Sequence, residues 1–203
     1  MSTDRPTARG DRVQRRIDVV SAAASILEES GWAGLNMREV ARRAGVSAGA
    51  LYQWFAGKDE IYAELYTTRL NQGVAAMEIL PSDITLEELL TSMFRWVRRT
   101  WADLGRWQLE FAEISRTRDG SDALTALRKA HERLVSIGMR RVADRARAEG
   151  RTISTDETIA HAIWGTATGI AMRTEVVGLT DEQYDELVAL SVRSLIAGLT
   201  ESA

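Results

Sequence analysis

The 203-residue chain reads as an all-α protein of about nine helices. Three observations predict this. Apolar residues recur at three- and four-residue steps along most of the chain. The two prolines, Pro6 and Pro81, leave room for long uninterrupted helices. Glycines and small polar residues stand where helices stop and start. Three domains follow: an arm over residues 1–11, a three-helix head over 12–58 and a helical body over 59–203.

The arm holds Pro6, Gly10 and the arginines Arg5 and Arg9, with Arg12 just beyond. It is either a floppy tail or a cationic strand for a phosphate backbone. Val13, Ile17, Val20, Ala24 and Leu27 stripe the first helix, which Gly31 ends. Trp32 and Leu35 pack in the loop, and Asn36 caps the second helix. Val40 and Ala41 give that helix its apolar side. Gly45 stops it in a left-handed conformation, Val46 acts as an apolar staple, and Ser47 caps the third helix. Ala50, Leu51 and Trp54 then recur at helical spacing. Two short helices around one tight turn make a helix-turn-helix, whose second helix can enter a DNA major groove.

A long helix starts after Gly57-Lys58, with Asp59 and Glu60 in its first turn near the positive end of the dipole. Ile61, Leu65 and Leu70 edge it as far as about Leu80. Leu86, Leu89, Leu90, Met93, Val97, Trp101 and Leu104 define the next, broken by Gly105. A short helix with Trp107, Phe111 and Ile114 runs toward Gly120. Ser121 or Asp122 caps a long helix through Leu124, Leu127, His131, Leu134 and Val142. Thr155 or Asp156 caps another, through Ile159, Ile163, Thr166, Ile170 and Val177 to Gly178. Thr180 or Asp181 caps the last, striped by Tyr184, Leu187, Val188, Ser191, Leu195 and Leu199. No segment reads as a strand.

Composition narrows the chemistry. Absence of cysteine excludes disulfides, thiolate metal sites and cysteine nucleophiles. No apolar run spans a membrane and the N-terminus is no secretory signal, so a cytoplasmic protein is expected. The net charge of −3 is uneven. Residues 1–58 hold nine Lys/Arg and six Asp/Glu, against seventeen and twenty-three in residues 59–203. A basic head on an acidic body suits a nucleic-acid reader joined to a module with another task.

Val40-Ala41, Ala44-Gly45-Val46-Ser47, Gly49, Leu51-Tyr52, Phe55 and Lys58-Asp59-Glu60 together resemble the N-terminal signature of the tetracycline-repressor (TetR) family. The resemblance covers residues 12–66 or so. It implies a DNA-binding regulator, with Tyr52 and Lys58 gripping phosphates and Arg38 reaching a guanine. Ser47 at the recognition-helix start favours a phosphate, the long polar Gln53 reaches either backbone or base, Ala48 offers a methyl to thymine and Gly49 permits close approach. Arg42 and Arg43 are alternative contacts. Tyr52 is otherwise a core tyrosine beside Trp54 and Phe55. The family usually has threonine where Asn36 stands, and asparagine caps as well. It usually has histidine where Trp54 stands, and tryptophan cannot accept a hydrogen bond.

The resemblance also implies a small-molecule effector site in the body. Met93, Trp96, Trp101, Trp107, Phe111 and His131 are its candidate lining for a largely apolar effector, or else plain core. Glu110, Glu113 and His161 are further candidate anchors. Gly165 and Gly169 allow close helix approach, and Leu187, Leu195 and Leu199 line the last helix. These point to a two-fold homodimer on a palindromic operator, or to burial within one chain. No cofactor, metal or catalytic residue is expected. The expected function is a repressor released from its operator by the effector. The alternative is a helical small-molecule binder or bundle enzyme with a purely structural helix-turn-helix. Glu157 and His161 lie four apart rather than in the three-residue spacing of a di-iron pair, and no second pair exists.

Overall fold

Helix boundaries in the computed structural model, which describes residues 8–107, 111, 121–154 and 156–202, fall at the capping and stop residues. Helix α1 spans Ala8–Gly34 and breaks at Gly31, whose φ of 66° is left-handed. Helix α2 is Met37–Arg43, with the Asn36 side chain accepting the Glu39 N–H at 3.0 Å. Gly45, at φ 66°, turns the chain. Helix α3 is Ala48–Trp54, capped by the Ser47 hydroxyl, which accepts the Ala50 N–H at 3.1 Å. Helix α4 is Lys58–Glu78.

Helix α5, Leu86–Asp103, opens with a reciprocal capping box between Thr85 and Glu88. A 3₁₀ turn, Gly105–Trp107, follows. Helix α6 is Asp122–Ala148. Helix α7, Glu157–Val177, is capped by Asp156, which accepts the Ile159 N–H at 2.9 Å, and is stopped by left-handed Gly178. Helix α8 is Asp181–Leu199, and Thr180 with Gln183 forms its capping box. The expected short helix from Trp107 to Gly120 lies outside the described residues except for Trp107 and Phe111, as do Arg5, Glu110, Glu113 and Thr155. The eight helices observed among the described residues carry the all-α class. No described helix is long and apolar enough to cross a membrane.

One element escaped the pattern. Arg151–Ile153 (β1) pairs antiparallel with Thr200–Ser202 (β2), with Arg151 opposite Ser202 and Ile153 opposite Thr200. Strands of three residues are too short to display a period of two, so the sequence shows no alternation there.

The chain divides into two compact units. The first holds the described residues up to Thr68 and those from Trp107 to Lys129; the second holds 69–106 and 130–202. The first unit has a core of Val19, Ala23, Ile26, Leu27, Leu35, Val40, Leu51, Phe55, Ile61 and Tyr62. Tyr62 is fully buried among rings, edge-on to Trp32 at 5.3 Å and tilted against Phe111 at 4.9 Å. The stripe expected along α1 holds from Val20 onward, but Val13 and Ile17 are exposed.

In the second unit α5 packs on α7 and α8 through Leu86, Leu89, Leu90, Met93, Phe94 and Val97. Ion pairs rim this core: Arg98 with Asp181 at 2.8 Å, Arg95 with Asp185 at 3.1 Å and Arg69 with Asp103 at 2.5 Å. Arg98 also lies 4.2 Å from the centre of the Tyr184 ring. Burial pushes the Tyr184 phenol up to about 12, so it stays neutral beneath that arginine.

Candidate nucleic-acid interface and body groove

The reading head is built from its caps outward. Asn36 fixes the start of α2 and Ser47 the start of α3, and Gly45 sets the angle between them. Leu51 and Phe55 anchor α3 in the core, leaving the opposite side in solvent. Arg16 steadies its end. The guanidinium lies 4.5 Å from the centre of the Phe55 ring and forms an ion pair with Glu64 on α4. Glu60 holds the following turn, its two carboxylate oxygens accepting the Ala56 N–H at 2.7 Å and the Ser121 hydroxyl at 2.8 Å.

Tyr52 is 57% exposed, which excludes the core reading of this residue. Gln53 and Arg38 are exposed too, and neither has a hydrogen bond or ion pair among the described residues. Ala48 is exposed beside them, and a Cβ on Gly49 would meet nothing within 4 Å. The exposed residues of α2 and α3 thus offer a guanidinium, a phenol, an amide and a small-residue gap that admits another backbone. Trp54 is half-buried and serves packing.

Three expected contacts are already engaged. The Lys58 ammonium donates to the Trp32 carbonyl at 2.9 Å and lies 4.6 Å from the Trp32 ring centre. Burial lowers its pKa, partly opposed by Asp59. Arg42 and Arg43 both bind Glu39, and Arg43 also binds Glu29. Sequence spacing signals the first two pairs, since Glu39 lies three and four residues before them. The Glu29, Trp32 and Glu64 partners join distant segments, so nothing local announces them.

The body residues proposed as one aromatic pocket divide between the two units, Trp107 and Phe111 in the first and Met93, Trp96, Trp101 and His131 in the second. Each of the four body tryptophans instead lies over a glycine. A Cβ on Gly73 would stand 2.6 Å from Trp96, one on Gly105 2.5 Å from Trp101, and one on Gly31 2.6 Å from Trp107. Trp164 and Met93 meet above Gly138, at 3.5 and 3.3 Å. Phe111 belongs to the Tyr62 ring cluster. Large rings fill the space that absent side chains leave, so their burial is packing.

Of that set, His131 lines a cavity. It leaves the apolar stripe of α6 and is exposed beside a groove of about 610 Å³ between α6 and α7. Val135, Met139, Ala143, Ala160 and Trp164 form the apolar part of the groove, with His161, Glu132, Arg140 and Glu157 around it. Crowding lowers the His131 pKa by desolvation, against the pull of Glu132. The groove was readable from Val135, Met139 and Ala143 at four-residue steps, a second stripe beside the core stripe. Among the described residues no group of three or more His, Asp or Glu is placed to hold a metal ion.

On the dimer candidates, Gly165 and Gly169 are exposed and nothing lies within 4 Å of a Cβ built on either. Burial within one chain therefore does not explain them. Met172, Val176 and Val177 continue this open side of α7, and Leu190 is exposed on α8. Leu187, Leu195 and Leu199 are half-buried.

Comparison with known proteins finds likenesses to the N-terminal segment and to the fold. Residues 19–65 fit the family model described as bacterial regulatory proteins, tetR family. The chain is 32% identical over 87 residues to the HTH-type transcriptional regulator PksA of Bacillus subtilis, covering 39% of this chain and 42% of that protein. It is 33% identical over 89 residues to the regulator HbdR of Aromatoleum sp., covering 44% and 37%. The matched stretch thus spans about two fifths of those relatives. A transcriptional regulator from Rhodococcus sp. Rha1 shares the fold with a TM-score of 0.69 at 21% identity, over 91% of this chain and 97% of the other. The FadR regulator of Bacillus subtilis, solved with stearoyl-CoA, does so with a TM-score of 0.63 at 19% identity, over 90% and 98%. Over residues 19–65, the N-terminal helix-turn-helix is thus similar to that of the tetR family of bacterial regulatory proteins.

Proposed function

We propose that the protein is a ligand-responsive, DNA-binding transcriptional regulator, a homodimeric repressor released from a palindromic operator by a small, largely apolar effector. One observation carries the reading: Arg38 on α2 and Tyr52 and Gln53 on α3 are exposed and without partners among the described residues, and Gly49 on the capped α3 leaves room for a DNA backbone. Arg38 is the base reader, presenting a fork of donors to guanine, while Tyr52 and Gln53 hold the phosphates. The α6–α7 groove is the effector site. Its volume falls within the roughly 300–1,000 Å³ usual for small-molecule pockets. The open sides of α7 and α8 pair two copies, setting two reading heads about one helical turn (~34–36 Å) or more apart. An effector that favours the conformation poor in DNA affinity releases the operator, and operator DNA must weaken effector binding by the same factor.

Selection of duplexes from a random pool, followed by anisotropy across salt, tests the reading. A selected sequence should bind at least ~10³-fold tighter than a scrambled one, with affinity falling as salt rises. Arg38→Ala should cost about 1–3 kcal/mol on the selected duplex and relax selectivity at one base pair. Equal binding of selected and scrambled duplexes would sink the DNA function.

A further inference from the structure

Helix α2 carries three arginines and only one of them is uncompensated. Arg38 has no partner among the described residues. Arg42 donates to both Glu39 oxygens, at 2.8 and 2.6 Å. Arg43 donates to Glu39 at 2.7 Å and, through both terminal nitrogens, to Glu29 on α1 at 2.6 and 2.7 Å. Arg38 and Arg42 are four residues apart, so they share one side of the helix, a single turn from each other. A duplex that meets Arg38 therefore passes beside Arg42.

We propose that Glu39 and Glu29 are specificity-determining residues: they occupy Arg42 and Arg43 and so keep the head from gripping DNA of any sequence. Two free guanidiniums beside the reader would add phosphate contacts that carry no sequence information. Engaged with carboxylates, they add little, and discrimination rests on Arg38. Arg42 is 69% exposed, so it is within reach of a phosphate once released. The two arginines hold the Glu39 carboxyl down at about 2, so it stays ionised throughout the neutral range. Exposed pairs of this kind contribute little to stability, which leaves the network free to serve binding. This inference rests on the DNA reading above.

The test uses the full chain with Glu39→Gln and Glu29→Gln combined. Glutamine at position 39 keeps the size and the helix-start geometry while removing the charge. Anisotropy is read on the selected and scrambled duplexes between 50 and 200 mM salt. Two new phosphate contacts should steepen the logarithmic salt slope by up to ~1.8, making the loss of affinity over that range about tenfold larger. Scrambled DNA should gain more than selected DNA, so the ratio between them falls. Arg42→Ala with Arg43→Ala in the otherwise native chain should leave the native salt slope unchanged. A slope that becomes shallower there would show that the arginines already hold phosphates and would overturn the proposal. So would a charge-free double variant that binds scrambled DNA no better. Selective binding by the native chain is scored separately, so loss of the DNA reading is distinguishable from loss of the mask.

Discussion

Lys58 shows how one residue carries two demands. Its ammonium satisfies the Trp32 carbonyl left open where Gly31 breaks α1, and it stacks on the Trp32 ring at 4.6 Å. Burial lowers the lysine pKa, with Asp59 partly opposing, while the ammonium gives a part-buried carbonyl the charged donor it would otherwise lack. The contact ties the start of α4 to the end of α1, and so sets the ground on which the turn after α3 rests. Lys58→Met keeps the apolar stem and deletes the charge. It should lower the unfolding free energy of the DNA-free protein by about 1–2 kcal/mol in urea titration. For Lys58 to grip a phosphate, it must exchange this carbonyl for the phosphate. The residues that need no such exchange are Arg38, Tyr52 and Gln53.

At the scale of elements, helix ends were legible because caps and stops act within four residues. Asn36, Gly45, Ser47 and Gly178 each act where the sequence places them, and Asp156 and Thr180 are each one of the two caps the sequence offers at their helix. Partners across elements were not legible. The tryptophans read as a pocket because aromatic stripes at helical spacing look alike whether they line a cavity or fill one. What decides is the residue opposite: Trp96, Trp101 and Trp107 each fill the space over a glycine, while Trp164, also against a glycine, lines the groove as well. The same fact separates the helical glycines into two kinds. Gly73 and Gly165 both sit inside helices without a left-handed backbone, so alanine favours the helix by about 1 kcal/mol at each. At Gly73 the new methyl would stand 2.6 Å from the Trp96 ring, which must shift together with its packed neighbours. Gly73→Ala should therefore destabilise by about 1–3 kcal/mol in denaturant titration. Gly165→Ala meets open space and should not destabilise the folded chain at all.

At the scale of the molecule, the open side of α7 is the surface on which the proposed dimer depends. Gly165, Gly169, Met172 and Val176 follow one another at three- and four-residue steps, so they share one side of the helix. That side is small at one end and apolar at the other, and among the described residues nothing covers Gly165 or Gly169. Small residues let two helix backbones approach closely, and exposed methionine and valine supply apolar area for a two-fold contact. Gly169→Glu probes this directly. The substituted side chain has space in the single chain, so folding and helical circular dichroism should be retained. In a two-fold interface, however, the substitution places two carboxylates near one another in a desolvated seam. Sedimentation velocity should then show monomers at concentrations where the native chain is dimeric. Two half-sites would no longer be held at once, and operator affinity should drop by 10²-fold or more as the gain from bivalence is lost. Each separate head would keep its salt-dependent grip on single half-sites, because Arg38, Tyr52 and Gln53 lie in the first unit and Gly169 in the second.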